Sequence, residues 1–390
     1  MVAQRPLDRL RAASAGGNRR PPSGRVPAWF WRTAAIWALE HAVVVLAIVA
    51  ATVAKPRPLS FYWGRWDSFW YLRVAEHGYP HDVYRPLAGH SFNEIAFFPG
   101  FPLLDRMVGV ALGGHYLVAG VVINLVLSLV LLCLVRVLFC SLAGPVAADR
   151  GVVLYALFWG TSVFTLAYAE PLALVAATGC LLALLSRRWL LAGALAALAT
   201  ATRPSMVVAL GLSCAVAAGI AVVRRRKWRA LVAPVLSPVG ALAFFAYLGA
   251  HTGDLLAWQH NESRLWGQHL DGGVQLPGLV WDRLVHPRYD GSPYYLLILT
   301  GAVVVVAGVV ALWRVRPPLL VWAYVAGIVV PTLLDSSLGP QPRFVAAAFP
   351  LFLGLGALLG RRLSLLVAAG SAVLLFGATV LYLGGTSGGF

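Results

Sequence analysis

The sequence predicts an all-α polytopic membrane protein, and three observations carry that prediction. Hydrophobic residues make up 59% of the 390-residue chain and charged residues only 12%, outside the range of soluble globular domains. Apolar runs long enough to cross a bilayer recur along the chain. Arg and Lys gather in clusters between those runs, the pattern that orients membrane helices.

Residues 1–28 are rich in Arg, Pro and Gly and are expected to form a disordered basic tail in the cytoplasm. The remainder, 29–390, reads as one transmembrane domain. Its first apolar run, 29–54, is too long for a signal-peptide core and has no small-residue cleavage site after it, so it is an uncleaved anchor. Further runs fall near 115–140, 150–168, 170–186, 204–223, 231–250, 294–313, 317–334, 343–360 and 363–384. The short segment 189–202, bounded by Arg187-Arg188 and Arg203-Pro204, completes about eleven crossings.

One threading puts the tail, Arg187-Arg188, the run from Arg224 to Arg229, Arg314 with Arg316, and Arg361-Arg362 in the cytoplasm. Residues 55–114 and 251–293 then become two large outer loops. The threading requires "FFPGFPLLDRMVGVALG", 97–113, to be re-entrant or interfacial, which its two prolines and Asp105-Arg106 favour. The acids follow, although only the bases were used. Asp67, Glu76, Asp82, Glu94, Asp105, Glu170, Asp254, Glu262, Asp271, Asp282, Asp290 and Asp335 fall outside, against Asp8 and Asp149 inside and Glu40 within the first span. Chemistry is therefore expected on the extracytoplasmic face of the cell membrane. The formal charge of +16 reads as a topology signal with affinity for anionic lipid headgroups; nothing resembles a nucleic-acid module. The four cysteines lie in apolar runs without CxxC spacing, which suggests neither a disulfide framework nor a zinc site.

The stretch "FYWGRWDSFWYL", 61–72, sets seven aromatic residues around one acid, Asp67. A helix over 66–77 would align Asp67, Trp70, Val74 and His77 on one stripe with Arg73 beside it. Trp66 and its neighbouring rings would anchor that helix at headgroup level. Asp67 there is either a helix N-cap or a reactive carboxylate. His90 and Glu94 precede the proposed re-entrant segment. Glu170 in "YAEPL" and Arg203 in "TATRPS" stand where apolar runs break, either as a mutual ion pair or as substrate ligands. Arg343 opens the tenth span, either snorkelling to the interface or clamping a phosphate.

The stretches "WDSFWYLRVAEHGYP", "HSFNEIAFFPGFPLL", "YAEPLAL", "AGALAALATATRPSM" and "PRFVAAAFPLFLGLG" resemble the PIG-V-like mannosyltransferases, the GPI mannosyltransferase 2 family, in its actinobacterial form, over most of the chain after residue 60. The resemblance implies a GT-C-like fold with a large first outer loop carrying interfacial helices. It also implies a polyprenyl-phosphate-mannose donor and a glycan, glycolipid or protein acceptor. Asp67 would be the first-loop acid, acting as base, with Glu94 as a second acid. Trp66, Trp70, Arg73, His77, His90, Glu170, Arg203 and Arg343 would bind substrate, the last two clamping phosphate. No Asp-x-Asp pair is present, so neither a metal nor another cofactor is expected. Two alternatives stay open: a GT-C enzyme for another polyprenyl-phosphate sugar, and a lipid or sugar transporter or flippase.

Overall fold

The computed structural model describes residues 26–275, 277–278, 281, 285, 294–336 and 341–384. Most of the basic tail, with Asp282 and Asp290, lies outside the described residues. Of the described residues 78% are helical, and the only β-pairing among them is an isolated antiparallel bridge, Leu270 to Asp335.

The helices in chain order are α1 (Ala28–Ala54), α2 (Leu59–Trp63), α3 (Asp67–His77), α4 (Gly100–Ala111), α5 (Tyr116–Ala143), α6 (Pro145–Ala156), α7 (Glu170–Leu185), α8 (Trp189–Thr200) and α9 (Ser205–Arg225). They continue with α10 (Val232–Leu236), α11 (Val239–Thr252), α12 (Ala257–Asn261), α13 (Tyr294–Val315), α14 (Leu319–Leu334), α15 (Pro342–Ala347), α16 (Pro350–Leu358) and α17 (Arg361–Gly384). Among the described residues six segments are long and apolar enough to cross a membrane: α1, α5, α9, Trp228–Thr252, Ile298–Val315 and α17. Three shorter apolar helices, α7, α8 and α14, join them. α7 is buried on nearly every side, as a helix apolar all round must be. Around it α1 packs on α17, α9 on α14, and α16 on both α6 and α13.

Two of the expected crossings are broken. Over 150–168, α6 stops at Ala156 and a 3₁₀ turn, Trp159–Phe164, follows. The cause is local: Thr161 Oγ1 donates to the Ala156 carbonyl at 2.9 Å and to Phe158 O at 2.6 Å, competing with the helix ladder. Over 343–360, α15 ends at Ala347 and α16 starts at Pro350, whose ring cannot continue the preceding turn. The first break meets the start of α15. A Cβ on Gly160 would lie 2.1 Å from Pro342 O, so only glycine admits this approach.

The segment 97–113 forms α4, twelve residues long and about 18 Å in length, too short to cross. It buries Phe101, Asp105 and Gly109 and exposes Leu103, Met107 and Val110.

Candidate active site

Asp67 is the first residue of α3, not its cap. Trp66 precedes it with φ 58°, unusual for a bulky side chain and costing on the order of 1–3 kcal/mol. Neighbours hold that conformation. The Trp66 indole donates to Tyr382 O at 2.8 Å, its ring stacks on the Tyr382 ring at 5.8 Å, and the Arg65 guanidinium lies 4.5 Å from its centroid. The Asp67 carboxylate thus leaves the helix N-terminus and accepts from Arg343 Nη1 through Oδ2. Arg343 points inward on α15 with a side chain 15% exposed, so it does not snorkel.

A second ion pair stands close by. Arg203 Nη1 donates to Glu170 Oε1, with both residues buried. The two pairs surround one phenol: burial pushes the Tyr71 hydroxyl well up, Arg203 and Arg343 oppose the rise, and Glu170 and Asp67 add to it. Tyr168 closes the site from the chain before α7. Its hydroxyl bonds that of Tyr382 and accepts the Asp67 backbone N–H at 3.3 Å. Asn124 of α5 fixes this chain by donating to the carbonyls of Leu166 and Tyr168.

Buried polar atoms without hydrogen-bond partners gather here. They include Arg343 Nε and Glu170 Oε2, with Ser68 Oγ, Ser205 Oγ and Gln341 Oε1 within two residues of Asp67, Arg203 and Arg343. Folded proteins rarely leave such groups unpaired. A polar ligand would satisfy them.

The other expected site residues lie on α3 or against it. Glu94 opens the 3₁₀ turn Glu94–Ala96 and is bound by Arg73, Nε to Oε1 at 2.6 Å. His90 stacks on Phe69 at 5.0 Å and meets Trp70 edge-on at 5.3 Å. His77 does not join: it is exposed at the far end of α3, 3.6 Å from Glu76. Three contributors were missing from the sequence reading: Arg65, Tyr168 and Tyr382. Tyr168 stood inside the quoted "YAEPL", whereas Tyr382 reads in sequence as an ordinary interfacial ring. Among the described residues no group of three or more His, Cys, Asp or Glu side chains is arranged to hold a metal ion.

No protein-family model matches the chain, and no curated protein matches it.

Proposed function

We propose that the chain is a membrane-embedded glycosyltransferase moving mannose from a polyprenyl-phosphate carrier to a hydroxyl of a glycan, glycolipid or protein. The observation that carries this reading is the doubled carboxylate–guanidinium pair around Tyr71, with Arg343 Nε and Glu170 Oε2 unengaged. A guanidinium with a free edge fits phosphate oxygens, and a carboxylate beside it fits a hydroxyl.

In the reaction the acceptor oxygen attacks the anomeric carbon while the bond from that carbon to the phosphate oxygen breaks. The electron pair leaves on the lipid phosphate. Asp67 takes the hydroxyl proton, a step that carboxylates accelerate by about 10²–10⁴-fold. Arg343 and Arg203 meet the charge that grows on the phosphate. One displacement turns a β-linked donor into an α-linked product. The same reading holds the bundle to be GT-C-like with about eleven crossings, and places the Asp67 side outside the cell membrane because the basic clusters lie at the other ends of the helices.

The test is reconstitution of the purified protein into vesicles with radiolabelled polyprenyl-phosphate mannose and a crude acceptor extract. Label entering the acceptor with release of polyprenyl phosphate supports the reading. Label crossing the vesicle wall with its sugar–phosphate bond intact would instead make the protein a flippase. Competition by unlabelled glucosyl and arabinosyl carriers tests the choice of sugar.

A further inference from the structure

The second long connection brings an indole to the edge of the candidate site. Trp266 closes a π-helical turn, Glu262–Trp266, that continues α12. Such turns are rare and recur at functional sites. This one is fastened to the chain before α4: Asn261 Nδ2 donates to Asn93 Oδ1 at 2.7 Å and to Val83 O at 2.9 Å.

Trp266 enters a wall of rings built on α3. It stacks on Phe92 at 4.1 Å and meets Phe97 edge-on at 5.6 Å and Trp70 edge-on at 6.1 Å. His90 completes the wall, stacked on Phe69 at 5.0 Å and edge-on to Trp70 at 5.3 Å. Trp70 follows Asp67 by three residues on α3, and helical side chains lean towards the N-terminus, so its ring covers the turn that Asp67 opens. The wall therefore borders Asp67 directly.

One polar atom in this wall has no role in the fold. Trp266 Nε1 is buried and has no hydrogen-bond partner. Two other indoles of the region do find acceptors: Trp66 donates to Tyr382 O at 2.8 Å and Trp258 to Ala96 O at 3.1 Å. The rings that Trp266 meets edge-on offer an N–H only a weak acceptor face. Phenylalanine would serve the packing without stranding a donor. The wall is also open to solvent at its rim, where Phe69, Phe92 and Trp266 are half-buried and His90 is exposed. His90 rides on a tight loop closed by Leu87 N–H to Phe92 O at 2.9 Å and turning through Gly89 at φ 80°. Its imidazole can swing outward while Phe92 stays on Trp266.

We propose that Phe69, Trp70 and Trp266 form a binding site for a hexose ring, which replaces the His90 imidazole on Phe69 and accepts the Trp266 N–H through a hydroxyl. A pyranose has both surfaces that the wall calls for, a face of C–H groups and a rim of hydroxyl oxygens. An isoprenoid chain has no acceptor for the N–H, and a phosphate has no apolar face. The site deepens the transferase reading and rests on it for the origin of the ring, which is either a sugar of the acceptor or the mannosyl group of the donor.

The experiment uses full-length protein in lipid nanodiscs and saturation-transfer NMR with methyl α-mannoside, methyl α-glucoside and methyl α-galactoside. The parent should pass saturation to the ring C–H protons of at least one of them. Trp266→Phe should weaken that binding by about tenfold yet melt no lower than the parent, because it loses only a stranded donor; Trp266→Ala should abolish binding. Rates with decaprenyl-phosphate mannose and a crude acceptor extract then locate the ring. Half-saturation of Trp266→Phe rises for the extract where the ring is the acceptor's, and for the donor where it is the mannosyl group. A parent that binds none of the three glycosides, or Trp266 variants that bind them as the parent does, overturns the proposal. A parent that binds a glycoside through Trp266 yet consumes no donor leaves the sugar site standing and overturns the transferase reading.

Discussion

Arg343 donates to the Asp67 carboxylate across 276 residues of chain, so the start of α15 and the strained turn at Trp66 converge on one bond. Asp67→Asn keeps the size of the side chain and a hydrogen-bond acceptor for Arg343 but removes the proton acceptor. We expect transfer to fall by about 10²–10⁴-fold with thermal unfolding close to the parent's. Transfer within a few-fold of the parent would remove Asp67 from the mechanism. Arg343→Lys should weaken donor saturation by about tenfold or more, because an ammonium cannot hold a carboxylate and a phosphate with one planar fork.

Glu170 and Arg203 are 2% and 8% exposed, so removing one partner strands the other charge. Glu170→Ala should cost about 3–5 kcal/mol, and the double change Glu170→Leu with Arg203→Met should recover most of it. Denaturant or thermal unfolding in detergent measures both. A double variant no more stable than the single one would mean that the site needs these charges to fold.

Asp105 is fully buried, neither of its carboxylate oxygens has a partner, and burial raises it from 3.8 to about 7. The native state therefore binds this proton more tightly than the unfolded chain does. Its stabilising contribution is complete below about pH 4 and is lost as pH rises to about 7. Asp105→Asn removes that slope. The melting-temperature gap, variant minus parent, should widen in the variant's favour between about pH 5 and pH 8. A gap that stays constant rejects a buried titrating acid on α4.

Orientation is testable at exposed positions, since Ser68 beside Asp67 is fully buried and would resist labelling. Asp82 and Lys227 are both exposed. With the four native free thiols replaced, Asp82→Cys should react with an impermeant maleimide on intact cells and Lys227→Cys only after lysis. The reverse result would put the site in the cytoplasm.

The long helices were legible because each is a single apolar run: α1, α5, α9 and α17 end within a few residues of where hydropathy ends. The breaks were harder to see. Thr161 reads as a tolerated polar residue until its hydroxyl is found on the Ala156 carbonyl. Asp67, Glu170, Arg203 and Arg343 stood out as charges beside apolar sequence, and the mutual ion pair of Glu170 and Arg203 was one of the two readings open for them; the bond between Asp67 and Arg343 depends on how α15 folds inward, and no local pattern carries that. Glu262 looked like one acid among several in a long loop. The π-turn it opens is held by Asn93 and Trp70 through Asn261 and Trp266, partners remote in sequence.

Gly160 gives the molecule an unusual kind of vulnerability. Its backbone rests against the residue next to Arg343 with no room for a methyl group, so the reach of the guanidinium is set by contact between two main chains. Alanine at this position changes no charge, donor or acceptor, yet it would displace the start of α15. Inherited variation at an uncharged residue deep in the bundle could thus silence the protein while every polar side chain of the site remained in place.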